Sequence, residues 1–134
     1  MTLSAAVKMS LARYASFSGR ARRSEYWYFT LCQLLAMPIS YLVWLAIPTL
    51  AITLYALFVL GTVVPHMALS VRRLHDVNRT GWWYLLGLVP FLGGIVLLVW
   101  FCTDGTSGSN RFGADPKATG SAAGTHEERI AVRW

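Results

Sequence analysis

Apolar residues fill three stretches of the chain, residues 26–47, 49–71 and 82–102, and every charged residue lies outside them. As helices rising ~1.5 Å per residue, stretches of this length reach across a hydrocarbon core of ~30 Å. Ahead of them Leu3, Val7, Leu11, Tyr14 and Phe17 recur at three- and four-residue intervals, with Lys8 and Arg13 off that stripe. This predicts a short amphipathic helix, either lying on a membrane surface or packed on the protein's own loops. Ser18-Gly19 ends it. The predicted fold is therefore an all-α integral membrane protein: three transmembrane helices preceded by a short amphipathic interfacial helix. Its parts are an N-terminal arm and basic segment (1–25), a three-helix transmembrane domain (26–102) and a polar tail (103–134).

Breaks within the pattern refine the elements. The turn at Pro48 is so short that the first two spans must be antiparallel neighbours. Pro65-His66 interrupts the second span, and the imidazole is expected either to bond a carbonyl freed by the proline or to face a watery cleft. Pro90, Gly93 and Gly94 fall inside the third stretch. They leave a competing topology open, in which residues 82–102 form a re-entrant hairpin and the tail returns to the face it started from. Tyr26, Trp27, Tyr28 and Phe29, and again Trp82, Trp83 and Tyr84, open apolar stretches as interfacial anchors. Past Pro116 the run Ala-Thr-Gly-Ser-Ala-Ala-Gly has little to bury and is expected to be flexible.

Composition changes this picture only by excluding alternatives. The three stretches take 66 of 134 residues, which leaves no room for a separate soluble catalytic domain. Charged residues are 13% of the chain, against about 25% in soluble proteins, and this opposes a buried soluble core. The first apolar run starts too late and is too long for a cleaved signal, and Ser24-Glu25 after Arg22-Arg23 argues against a twin-arginine one.

The net charge of +6 is unevenly placed. Residues 1–25 carry +4, residues 72–80 carry +2, and the tail is balanced. Because basic loops stay on the cytoplasmic side, the N-terminus and residues 72–80 are expected inside and the Pro48 turn outside. With three spans the tail is then outside. The two cysteines, Cys32 and Cys102, are then in opposite halves of the bilayer and are read as apolar packing residues.

Candidate chemistry gathers at one membrane face. If the second span continues as helix, Arg72, His75, Asp76 and Arg79 share a side, and Asp76 pairs with Arg72 and Arg79. Arg22 and Glu25 repeat the spacing. Six arginines, Arg20, Arg22, Arg23, Arg72, Arg73 and Arg79, then face two carboxylates, and their surplus charge suits anionic headgroups. Glu25, Asp76 and His75 are the structural charge partners, and His66 is a candidate intramembrane polar site. Adjacent His75 and Asp76 diverge by ~100° on a helix, so they make a poor metal pair. No nucleophile–base or two-carboxylate arrangement stands out. Residues 105–113 lack the ending of a phosphate loop and the acidic ligands of a calcium loop, and read as a structured turn with Arg111 pairing Asp104 or Asp115. The basic charge is split between helix ends with no groove-reading element, which argues against nucleic acid.

Three motifs in order, Phe17-Ser-Gly-Arg-Ala-Arg-Arg-Ser-Glu-Tyr-Trp27, Arg72-Arg-Leu-His-Asp-Val-Asn-Arg-Thr-Gly-Trp-Trp83, and Gly105-Thr with Asn110-Arg-Phe-Gly-Ala-Asp-Pro116, resemble the bacterial inner-membrane proteins of domain-of-unknown-function family 805, the YhaH/YhaI-like proteins. The resemblance spans roughly residues 14–116. It implies a small multi-span protein of the bacterial inner membrane and no particular reaction.

The expected function is that of a membrane scaffold or accessory subunit, not an enzyme, that binds anionic lipid headgroups at its cytoplasmic face. No cofactor or metal is expected. The expected partners are membrane lipids and a second copy or another membrane protein, favoured by small residues at Gly61, Gly87, Gly93 and Gly94. The alternatives are an oligomeric transporter or channel component and, behind it, a lipid-modifying enzyme.

Overall fold

Two long helices carry most of the apolar sequence. The computed structural model describes residues 2–118, and in order these form α1 (Leu3–Ala12), α2 (Arg23–Ala46), α3 (Pro48–Asp76), a 3-10 helix (Gly81–Leu88) and α4 (Leu92–Cys102). The described residues divide into two compact units: residues 2–17 with 24–70, and residues 18–23 with 71–118. The stretch beyond Pro116, expected to be flexible, falls almost wholly outside the described residues.

In the first unit, α2 and α3 are separated by Ile47 alone, and both are long and apolar enough to cross a membrane. Their burial is inverted relative to a soluble protein. Leu42 and Leu60 are 66% and 71% exposed, whereas Glu25 and Ser70 are buried. Apolar side chains turned outward need an apolar surrounding, which water does not supply.

The helix α1 is capped by Thr2, whose Oγ1 accepts from the Ala5 N–H at 3.4 Å. It buries the small residues Ala6 and Ser10 and leaves Leu3 and Leu11 of the apolar stripe exposed. Just beyond it, the Tyr14 hydroxyl donates to the Gly61 carbonyl at 3.0 Å. The sequence explains this bond. Pro65 sits inside α3 and has no N–H, so the carbonyl four residues earlier, that of Gly61, loses its helical donor. Tyr14 supplies it. His66 was expected either to bond that carbonyl or to face a watery cleft; its ring lies against Tyr26 and Phe29, with centroids 5.8 and 6.3 Å apart.

In the second unit, α3 ends sooner than the charge spacing implies. Asn78 adopts a left-handed φ of 59°, its N–H donates to His75 O at 3.0 Å, and the Arg79 N–H reaches back to Leu74 O at 2.8 Å. This paired closure is a Schellman motif with Asn in the position glycine usually takes. Arg79 is therefore outside the helix and cannot share the face of Arg72 and Asp76.

Residues 82–102, expected as a third spanning helix, are broken in two. The 3-10 helix and α4 pack against each other as a hairpin, with Trp83 and Trp100 in edge contact at 5.5 Å. Its tip is a γ-turn: Phe91 has φ 62° and ψ −65°, and the Leu92 N–H donates to Pro90 O at 2.7 Å. Gly93 makes the close return possible, since a Cβ there would lie 1.7 Å from the Leu86 carbonyl oxygen. At ~2.0 Å per residue in a 3-10 helix and ~1.5 Å in an α-helix, each arm is ~16 Å long, about half a hydrocarbon core. Among the described residues two helices, not three, have spanning length.

Candidate functional site

Two of the arginines expected at one face, Arg20 and Arg73, meet within the second unit at a single carboxylate. Asp76, the last residue of α3, is 3% exposed. Its Oδ1 accepts from Arg20 Nε at 2.9 Å and its Oδ2 accepts from Arg73 Nη1. The pairing differs from the expected one with Arg72 and Arg79. Arg73 lies one turn back on the same helix end and reaches Asp76 at i, i+3, while Arg79 is removed by the helix stop.

Two buried guanidiniums exceed one carboxylate, and backbone carbonyls take up the difference. Arg20 donates to the carbonyls of Thr106, Gly108 and Gly113. Arg73 donates to those of Phe101 and Thr103. All of these acceptors lie in or just before the loop that follows α4. The loop closes on Asp76 from the other side as well, since the Thr106 N–H and Oγ1 both donate to the Asp76 carbonyl, at 2.8 and 3.1 Å. Gly105 passes so near that a Cβ would meet Asp76 Oδ2 at 2.0 Å. Only glycine fits there.

The loop is itself ordered by side-chain turns. Asn110 Oδ1 accepts from the Phe112 N–H at 2.9 Å and Asp115 Oδ1 from the Lys117 N–H at 2.8 Å, both Asx turns. Asn110 and Gly113 exchange backbone bonds at 3.0 Å. The Asn110 amide also donates to His75 O at 2.9 Å. His75 stacks on Phe112 with centroids 4.0 Å apart, and its Nδ1 lies 3.1 Å from Gly19 O. A carbonyl can only accept, so that nitrogen carries the proton. Arg111 covers the other part of this stack, 4.7 Å from the Phe112 ring, and donates to Asn78 O.

At the rim, Arg22 donates to the carbonyls of Pro116 and Lys117 where Glu25 was expected as its partner. Arg23, with a side chain 43% exposed, pairs with Asp104 at 2.7 Å and donates to Cys102 O. Lys117 shares Asp104 at 2.9 Å. These contacts hold the Asp104 carboxyl below its ordinary range, Lys117 first and Arg23 after it. The Lys117 and Gly108 N–H groups do the same for Asp115. Arg79 sits 4.9 Å over the Trp100 ring.

The six arginines proposed for headgroups thus fall into two sets. Arg20, Arg72 and Arg73 are buried, at 5%, 0% and 0% exposure, and their charge is enclosed within the fold. Arg22, Arg23 and Arg79 are at the surface or half-buried. The tail beyond Cys102, expected on the opposite side under three spans, is bonded to Arg20, Arg22, Arg23 and Arg73. Asp104, Gly105, Thr106 and Phe112 belong to the cluster without having been expected in it; the Asn110-Arg-Phe-Gly turn was the available signal. Among the described residues, no group of His, Cys, Asp or Glu could hold a metal ion.

The family described as "Protein of unknown function (DUF805)" matches residues 14–114. The chain belongs to this family. It is similar to the "Inner membrane protein YhaI" of Escherichia coli K12, 52% identical over 107 residues that cover 80% of this chain and 91% of the relative. It is also similar to the "Inner membrane protein YhaH" of the same strain, 42% identical over 114 residues, with 80% and 92% covered. No solved structure matches. The DUF805 match begins at the tyrosine that bonds Gly61 and ends one residue after Gly113, so it takes in nearly the whole Asp76 cluster.

Proposed function

We propose that this DUF805 protein is a multi-pass scaffold or accessory subunit of the bacterial inner membrane, with its N-terminus cytoplasmic, and that its polar unit binds anionic lipid headgroups. Two apolar helices of spanning length and relatives named as inner membrane proteins support the location. The +4 arm and the +2 segment after α3 support the orientation. The hairpin of 3-10 helix and α4 is then re-entrant, and its γ-turn tip at Phe91 needs a second protein surface or water at that depth.

One observation carries the headgroup reading. The lock around Asp76 encloses Arg20 and Arg73, and the same unit keeps Arg23, Arg79, Arg111 and Lys117 at its surface and exposes Trp82 and Trp83, with Arg79 over the Trp100 ring that Trp83 meets edge-on. Indole rings prefer the headgroup level, and guanidiniums held there attract phosphate. The buried arginines serve as structure in this reading and the rim arginines as the binding groups. Native mass spectrometry from nanodiscs containing phosphatidylglycerol and phosphatidylcholine tests it. Retention of phosphatidylglycerol by the wild type, lost on combining Arg23→Ala with Arg79→Ala, is expected. Equal retention of both lipids, or no change in the variant, would contradict it.

A further inference from the structure

The middle of α2 carries a polar group that neither unit's architecture uses. Gln33 is the eleventh of 24 residues in a helix that is otherwise apolar from Tyr26 onward but for hydroxyl groups and one thiol. It opens into a groove of about 230 Å³ between α2 and α3, where Thr30, Tyr55 and Thr62 are the other polar residues. Thr62 is satisfied by its own helix, through Phe58 O at 2.8 Å. The Thr30 hydroxyl is buried with no hydrogen-bond partner, and the Gln33 amide has none among the described residues.

A primary amide has two N–H donors and a carbonyl with two lone pairs. At the depth of a membrane's hydrocarbon core no water is present to meet them, and leaving them unmet is costly. An acyl chain filling the groove has no polar atom to offer. A second amide satisfies donor and acceptor together, because the group is complementary to itself.

We propose that Gln33 marks the face through which two copies of this chain associate within the bilayer, amide to amide. Copies inserted with one orientation are related by a two-fold axis along the membrane normal, and such an axis brings each residue to the depth of its own counterpart. Gln33 therefore meets Gln33. The groove continues past the shared residues Met37 and Tyr55 into a cleft of about 470 Å³ lined by Tyr41, Trp44 and Ile52, which gives the partner's apolar side chains room to seat. The inference rests on α2 as a membrane span and is independent of headgroup binding.

The test is single-molecule photobleaching of the full-length protein in liposomes over a range of protein-to-lipid ratios, for wild type, Gln33→Leu and Gln33→Asn. Carbonate-resistant membrane insertion of each establishes first that the span itself is intact. A dimer in the wild type is expected, with association weakened roughly three- to thirty-fold by Gln33→Leu and largely kept by Gln33→Asn. A wild type monomeric at every density, or Gln33→Leu as dimeric as wild type, overturns the proposal. So does a monomer that releases a non-lipid small molecule on native mass spectrometry and loses it in Gln33→Leu, since the amide then serves a ligand. Loss of carbonate resistance in the wild type would instead remove the membrane reading beneath it.

Discussion

Asp76 is the residue on which the polar unit closes, because it answers Arg20 and Arg73 with its carboxylate and Thr106 with its carbonyl. Asp76→Asn leaves two buried guanidiniums without a counter-charge, and a loss of about 3–5 kcal/mol is expected in thermal or denaturant unfolding in detergent. Gly105→Ala reaches the same lock by sterics, with an expected cost of about 1–3 kcal/mol. Tyr14→Phe removes the donor that replaces the missing Pro65 N–H, and about 1 kcal/mol should be lost with little change in membrane insertion. That Arg, His and Asp gather near the end of α3 was legible from spacing. Their partners were not: the spacing argument carried the helix through Arg79, whereas Asn78 stops it, and a Schellman closure by Asn is a weaker signal than one by Gly.

Among the elements, α2 and α3 followed from their apolar length, while the third apolar stretch shows where that signal stops. Residues 82–102 have enough apolar residues for a span, and hydropathy counts residues without asking whether the backbone runs on. The break was marked at Pro90, Gly93 and Gly94, and the deciding feature is Gly93 against the Leu86 carbonyl, a contact visible only in three dimensions. Gly93→Ala should force the two arms apart, lowering stability by about 1–3 kcal/mol and weakening the near-ultraviolet circular dichroism of the Trp83–Trp100 pair. The loop after α4 depends on Asp104 and Asp115, whose carboxyl groups ionise more readily in the fold than as free side chains. A depressed carboxyl contributes stability above its unfolded value, near pH 4, and loses it as the pH falls through the folded value. Protection factors for amide exchange across residues 103–117, taken relative to the intrinsic exchange rate at each pH, should therefore fall on acidification through that range, and Asp104→Asn should flatten the response.

For the whole molecule the central claim is that residues 18–23, the end of α3 and the loop after α4 form one unit and so lie on one side of the membrane. This separates the hairpin topology from three spans, which would send residue 107 to the opposite side from residue 18. Charge placement alone left that choice open, because the balanced tail gives the positive-inside rule nothing to act on. The most direct measurement is labelling of single cysteines, Ser18→Cys, Thr49→Cys and Ser107→Cys, in a background without Cys32 and Cys102, using a membrane-impermeant maleimide on intact spheroplasts and on inverted vesicles. The account predicts that Ser18→Cys and Ser107→Cys label only in inverted vesicles and Thr49→Cys only in spheroplasts. Labelling of Ser107→Cys together with Thr49→Cys in spheroplasts would contradict it.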